Sequence, residues 1–134
     1  MAERRETYAY FWVADFDVPH DAITAAVGLS PSRAWNKGEP APSGRPAKSS
    51  RWELHSVLPR DEIFVDKHIE ALVPVLEPRA RAIIDLGTRY ECGISCVGKF
   101  YDANPGFHLS ADLIARLAAL KLPVDFDLYC YSED

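Results

Sequence analysis

Cysteine is scarce and odd in number: Cys92, Cys96 and Cys130 cannot all pair. An odd set of thiols in a chain with no export signal points to a reduced, cytoplasmic protein without a structural disulfide. Membrane-length apolar runs are also missing. The nearest approach, "YAYFWVADF" behind Arg4 and Arg5, is short, aromatic, broken by Asp15, and lacks a small-residue cleavage site. A strand explains it better than a signal peptide, and no membrane partner is expected. A basic excess is absent too. The net charge of -5 and a pI near 5.3 argue against broad binding to a phosphate backbone.

Catalytic signatures are equally thin. No Gly-x-Ser-x-Gly elbow or Gly-rich phosphate loop occurs, and none of His20, His55, His68 and His108 stands at metal-ligand spacing from another. Cys92 and Cys96 share a strand face but lie about 13 Å apart at roughly 3.3 Å per residue, too far to bridge or to share a metal. The acidic strand ends "ADFD" and "VDFD" resemble paired acids that hold two magnesium ions, yet the central hairpin offers only Glu39 to complete such a set. No metal, cofactor or catalytic residue is assigned. His68 flanks an apolar helical stripe, which reads as packing.

What is present suits one globular domain of 134 residues, 48% hydrophobic and 26% charged. Aromatic and β-branched residues make Thr7 to Phe16 a central strand, and Pro19 and Gly28 bracket a short helix over "HDAITAAVG". Two short strands follow, Arg33 to Lys37 and Ser50 to Leu58, joined by a tip rich in Pro, Gly and Ser. From Asp61 to about Thr88, Ile69, Leu72, Val73, Leu76, Ala80 and Ile83 fall at helical spacing, with Pro74 and Pro78 kinking or restarting the helix.

"YECGISCVGKFY" then alternates as a half-buried strand, "DANPG" turns the chain, and Ser110 caps a helix over Leu113, Ile114, Leu117 and Leu120. "VDFDLYCY" closes the chain, with Val124, Phe126, Leu128 and Cys130 on one face and Asp125, Asp127, Tyr129 and Tyr131 on the other. The first six elements match the ferredoxin-like split βαβ core, βαββαβ, and one more helix and strand follow. The expected class is therefore α+β, with helices on one face of a mainly antiparallel sheet. Residues 1–6 and 132–134 read as flexible ends and residues 38–50 as a mobile loop.

"GLSPSRAWNKGE", "SRWEL", "HIEALVPVLEPR" and "SADLIARLAALKLPVDFDLY", in this order, resemble the bacterial domain-of-unknown-function family 4279 from about Tyr8 to Tyr131. The distinctive pieces are Trp35, Gly38, Trp52, His68 and the closing helix with its acidic strand. The resemblance implies one small α+β domain and no reaction. By analogy, small bacterial domains of this kind include toxin-neutralising (immunity) and accessory binding proteins.

Two stretches carry the functional reading. If Ala9, Phe11 and Val13 face the helices, then Tyr8, Tyr10 and Trp12 face the other side, joined by Arg51, Glu53, His55, Glu91, Ser95, Asp125, Asp127, Tyr129 and Tyr131. Such an aromatic and charged face suits a protein partner or self-association as a homodimer. Its acids disfavour stacked RNA. The second stretch is the hairpin, with Trp35 and Lys37 as binding candidates. Residues 31–60 hold Arg33, Lys37, Arg45, Lys48, Arg51 and Arg60 against Glu39 and Glu53, an excess that suits a solvated surface or an anion. The expectation is a non-enzymatic protein-binding module. The competing reading is an enzyme or sensor for a small anionic metabolite that uses His55, Trp35 and the basic hairpin. Trp52, sharing a face with Leu54, is expected in the core.

Overall fold

The computed structural model describes residues 6–101 and 105–132. The expected flexible ends at 1–5 and 133–134, and positions 102–104 of the expected turn, lie outside the described residues. Glu6, placed by the sequence reading in a flexible end, is instead the first residue of strand β1, Glu6–Ala14. Its carboxylate pairs with Arg60 at 2.6 Å and with Lys99 at 3.4 Å, which ties the strand's start to two neighbouring segments.

β1 alternates as its composition demands. Thr7, Ala9, Phe11 and Val13 are buried, while Tyr8, Tyr10 and Trp12 on the other face are half-buried. Helix α1, His20–Val27, follows Pro19 and ends at Gly28, whose φ of 75° lets its N–H return to the Thr24 carbonyl at 2.8 Å. The first helical N–H, that of His20, donates to Asn36 Oδ1 at 2.8 Å, so the hairpin caps the helix.

Strands β2, Arg33–Trp35, and β3, Arg51–His55, are shorter than their sequence pattern suggests. The tip between them closes on itself. Gly38 N–H bonds the Ala47 carbonyl, Ala47 N–H bonds that of Glu39, and Pro40 bridges Pro46, with Gly38 and Gly44 at positive φ.

The helical stretch from Asp61 to about Thr88, expected to kink or restart at Pro74 and Pro78, restarts at one of them: it runs as α2, Val65–Leu76, a 3-10 turn at Glu77–Arg79, and α3, Ala80–Arg89. Pro78 supplies the break, because it brings no N–H to the ladder. Pro74 is accommodated inside α2. The start is delayed to Val65 because the preceding carbonyls serve elsewhere: those of Arg60 and Ile63 accept from Thr7, and that of Glu62 accepts from His68. This last bond fixes the histidine. A carbonyl only accepts, so His68 Nε2 carries a proton, and Nδ1 lies 3.2 Å from the Ser56 hydroxyl. His68 is thus a fully buried packing residue with both nitrogens engaged.

β4, Glu91–Tyr101, α4, Ala111–Ala119, and β5, Val124–Tyr131, complete the α+β fold. Ser110 accepts the Leu113 N–H at 3.1 Å as the cap of α4. The five strands form one mixed sheet in the order β2-β3-β1-β4-β5. All neighbours are antiparallel except β4 and β5, which are parallel because α4 carries the chain back across the sheet. α2 packs on β1, α3 on β4, and α4 on α2. Trp52 is fully buried in the core so formed, edge-on to Phe11 at 5.9 Å.

Two strands depart from simple alternation. β4 is buried on both faces over much of its length, and a Cβ at Gly93 would sit 2.9 Å from the Trp12 ring, so glycine is what lets that indole lie flat. β5 is the outermost strand, and its helix-side residues Phe126 and Leu128 remain 37% and 40% exposed. Phe107 stacks on Phe126 at 4.8 Å and covers part of that edge. Among the described residues no helix is long and apolar enough to cross a membrane.

Candidate functional site

The face of the sheet opposite the helices is organised by strand register. Tyr10 lies opposite His55 and Trp12 opposite Glu53 across β1 and β3, while Arg33 faces Glu53 and Trp35 faces Arg51 across β2 and β3. These pairings gather three nitrogen donors around one carboxylate. Glu53 Oε1 accepts from Arg33 Nε at 2.6 Å and from His55 Nε2 at 3.1 Å, and Oε2 accepts from Arg51 Nε at 2.7 Å. Glu53 is only 2% exposed, covered by the side chains that bind it. Burial by itself raises its carboxyl pKa, but hydrogen bonds from His55, Arg51 and Arg33, with the Arg33 charge, outweigh that and bring it down to about 2.

The aromatic residues form the bed on which these cations lie. Tyr10 and His55 stack at 4.7 Å, Tyr8 and His55 at 5.9 Å, and Tyr8 and Tyr10 at 6.3 Å. Guanidinium groups then cover the rings: Arg60 stands 4.0 Å over Tyr8, Arg51 lies 5.0 Å over Trp12 and 5.8 Å over Tyr10, and Arg33 lies 5.8 Å over Trp35. The open face therefore presents cations pinned over partly exposed rings. The Trp12 indole N–H is buried without a hydrogen-bond partner among the described residues.

Toward β5 the same face changes sign. Ser95 pairs with Asp125, Val97 with Asp127, Lys99 with Tyr129 and Tyr101 with Tyr131. The Tyr129 hydroxyl donates to Asp127 at 3.0 Å, and this bond, with the carboxylate's charge, holds the phenol above its usual pKa. Tyr129 and Tyr131 stack at 6.1 Å. The face is thus cationic at β2, β3 and β1 and acidic and phenolic at β5.

A cavity of about 300 Å³ opens at the cationic end, lined by Tyr8, Ser32, Arg33, His55, Ser56, Leu58 and Arg60. A larger groove of about 580 Å³ lies on the helical side between α1 and α3, near Gly28 and Arg79. A third, of about 220 Å³, borders Phe107 and Cys130 at the β5 edge.

Of the residues singled out from sequence, Tyr8, Tyr10, Trp12, Trp35, Arg51 and His55 meet in one cluster. Asp125, Asp127 and Tyr129 occupy the far end of the same face, and Lys37 lies exposed in the loop beyond β2. Sequence reasoning misses Arg33, Arg60, Glu6 and Ser32 as site residues and takes Glu53 for an ordinary face residue, although it is the buried hub. For Arg33 and Arg60 the sequence signal is the basic excess of residues 31–60; Glu6 and Ser32 carry none. Cys92 and Cys96 are buried on β4, where burial pushes their thiols up to about 11 and about 12, so neither is a ready thiolate. Cys130 lies on β5 opposite Phe100, four residues along from the partner of Cys96. Among the described residues no three His, Cys, Asp or Glu side chains converge to hold a metal ion.

Fold and site together define a small α+β domain with a mixed five-stranded sheet and a cation-covered open face. The chain belongs to a family described as a domain of unknown function, DUF4279, whose profile matches residues 5–131. No curated protein and no solved structure matches the chain.

Proposed function

We propose that the protein is a binding module that docks a partner protein on the open face of its sheet. The observation that carries this reading is the guanidinium and aromatic cluster of β1, β2 and β3, anchored on buried Glu53. Tyr, Trp and Arg are the residues that dominate interface energetics. Cations already held by Glu53 and Glu6 lose little further rotamer freedom on binding, so the surface is preorganised. The sequence β2-β3-β1-β4 with antiparallel neighbours supports the ferredoxin-like reading of the core, in which that face stays free for a partner.

Tyr10→Ala and Asp127→Lys test the proposal, with Arg81→Glu on the helical side as control. Affinity capture from the native host should return one discrete partner with wild type and Arg81→Glu, reduced about tenfold or more by either face variant, in line with the loss of one interface anchor. Circular dichroism should show all variants folded. If sedimentation shows a wild-type dimer that Tyr10→Ala dissociates, the partner is a second copy of the chain. Equal capture by all variants contradicts the proposal.

A further inference from the structure

We infer that the cavity at the cationic end of the sheet is an oxyanion seat, taking one carboxylate or phosphate group between Arg33 and Arg60; this rests on reading the open face as a binding surface. The two arginines approach from different segments, β2 and the stretch after β3, and each is anchored to a carboxylate through a different nitrogen. Arg33 engages Glu53 through Nε and Arg60 engages Glu6 through Nη1, and their side chains stay 48% and 51% exposed. A guanidinium has five N–H donors in a planar fork, so both retain donors for a second oxyanion. Their anchors hold them in place for it.

The hydroxyls add direction. Ser32 Oγ accepts the His55 N–H at 2.9 Å, which leaves its own hydrogen free to donate into the cavity. Ser56 Oγ, hydrogen-bonded with His68 Nδ1 at 3.2 Å, also accepts the Leu58 N–H at 3.1 Å and is a structural part of the wall.

Charge favours the same ligand. No carboxylate is among the residues lining the cavity. The two that neutralise this region are committed elsewhere: Glu53 is buried beneath the arginines, and Glu6 lies between Arg60 and Lys99. Four permanent cations, Arg33, Arg51, Arg60 and Lys99, therefore stand against two carboxylates, in a chain whose net charge is -5. At about 300 Å³ the cavity is at the small end of ligand sites and fits an anionic group with a few attached atoms. Charge-assisted, bidentate contacts of this kind are the strong class of hydrogen bond.

The test is an NMR titration of the full chain with sodium phosphate and with sodium succinate, ionic strength held constant with sodium chloride. Saturable shifts are expected at Tyr8, Ser32, Arg33 and His55, with affinity about tenfold weaker in Arg60→Gln and unchanged in Arg81→Gln. Arg60→Gln leaves the Glu53 hub intact, and Arg33→Gln provides a second variant on the other side of the seat. A titration with acetyl-Glu-Glu-amide separates the sources of the anion. Binding tighter than succinate assigns the carboxylate to a partner chain, and weaker binding assigns it to a free small molecule. Shifts that never saturate, or equal affinity in Arg60→Gln and wild type, overturn the seat. Equal anion affinity in Arg60→Gln and wild type, with partner capture that fails in Tyr10→Ala, would retain the docking face while discarding the seat.

Discussion

Glu53→Gln should lower stability at pH 7 by about 3 kcal/mol, the linkage value of a carboxyl held near 2 in the fold against an ordinary 4.5. The sign follows from the direction of the shift. A carboxyl depressed by folding contributes its stability in full above its unfolded pKa, and that contribution drains away as pH falls from about 4.5 toward 2. The difference between wild type and variant should therefore be widest near neutrality and should narrow steadily below pH 4.5. Glutamine also brings an NH₂ group into a site where Arg33, Arg51 and His55 already supply donors, so one face of the amide meets a donor instead of an acceptor. Urea denaturation at a series of pH values from 7 to 2.5 reads both effects. A difference that stays constant with pH would show that Glu53 is not the ionised hub.

Trp52→Ala should be the most damaging single truncation of the hairpin, at about 4 kcal/mol for a fully buried indole. The ring fills the space under β3 and meets Phe11 edge-on, and its N–H donates to Thr24 Oγ1 at 3.0 Å, which couples α1 to the sheet. Against a typical domain stability of about 5 to 15 kcal/mol, that loss leaves little margin. Trp35→Ala removes a half-buried ring whose N–H reaches the Ser49 carbonyl at 3.2 Å, and should cost about 1 kcal/mol. Equal losses for the two variants, measured by urea denaturation, would contradict the placement of Trp52 as core and Trp35 as face.

The difference between these tryptophans was legible in the sequence, because Trp52 shares its period-two face with Leu54 while Arg51 and Glu53 take the other. The same rule explains what could not be read. Alternation correctly puts Glu53 on the open face, but burial there comes from Arg33 on β2 and from His55 two residues along, and single-strand periodicity carries no information about a neighbour's register. Arg60 is further from view. It reaches Tyr8 because the stretch after β3 runs back along the start of β1, where Thr7 takes the Arg60 carbonyl. The helical stretch after Asp61 is legible in part: both Pro74 and Pro78 lack a donor and mark a kink or restart, but only Pro78 ends a helix, while Pro74 is accommodated inside α2. β5 shows the limit of alternation in the other direction, since Phe126 and Leu128 have the pattern of core residues but lie on an edge strand and stay partly exposed.

The open face, rather than the helical side, is the surface proposed to meet a partner. Hydroxyl-radical footprinting of the captured complex reads this directly, because the oxidisable side chains Tyr8, Tyr10, Trp12 and Tyr129 all lie on that face. Protection of those four, with Arg79 and Pro78 in the groove between α1 and α3 unchanged, is the predicted result. Protection confined to that groove, with the aromatic face as reactive as in the free protein, would contradict it.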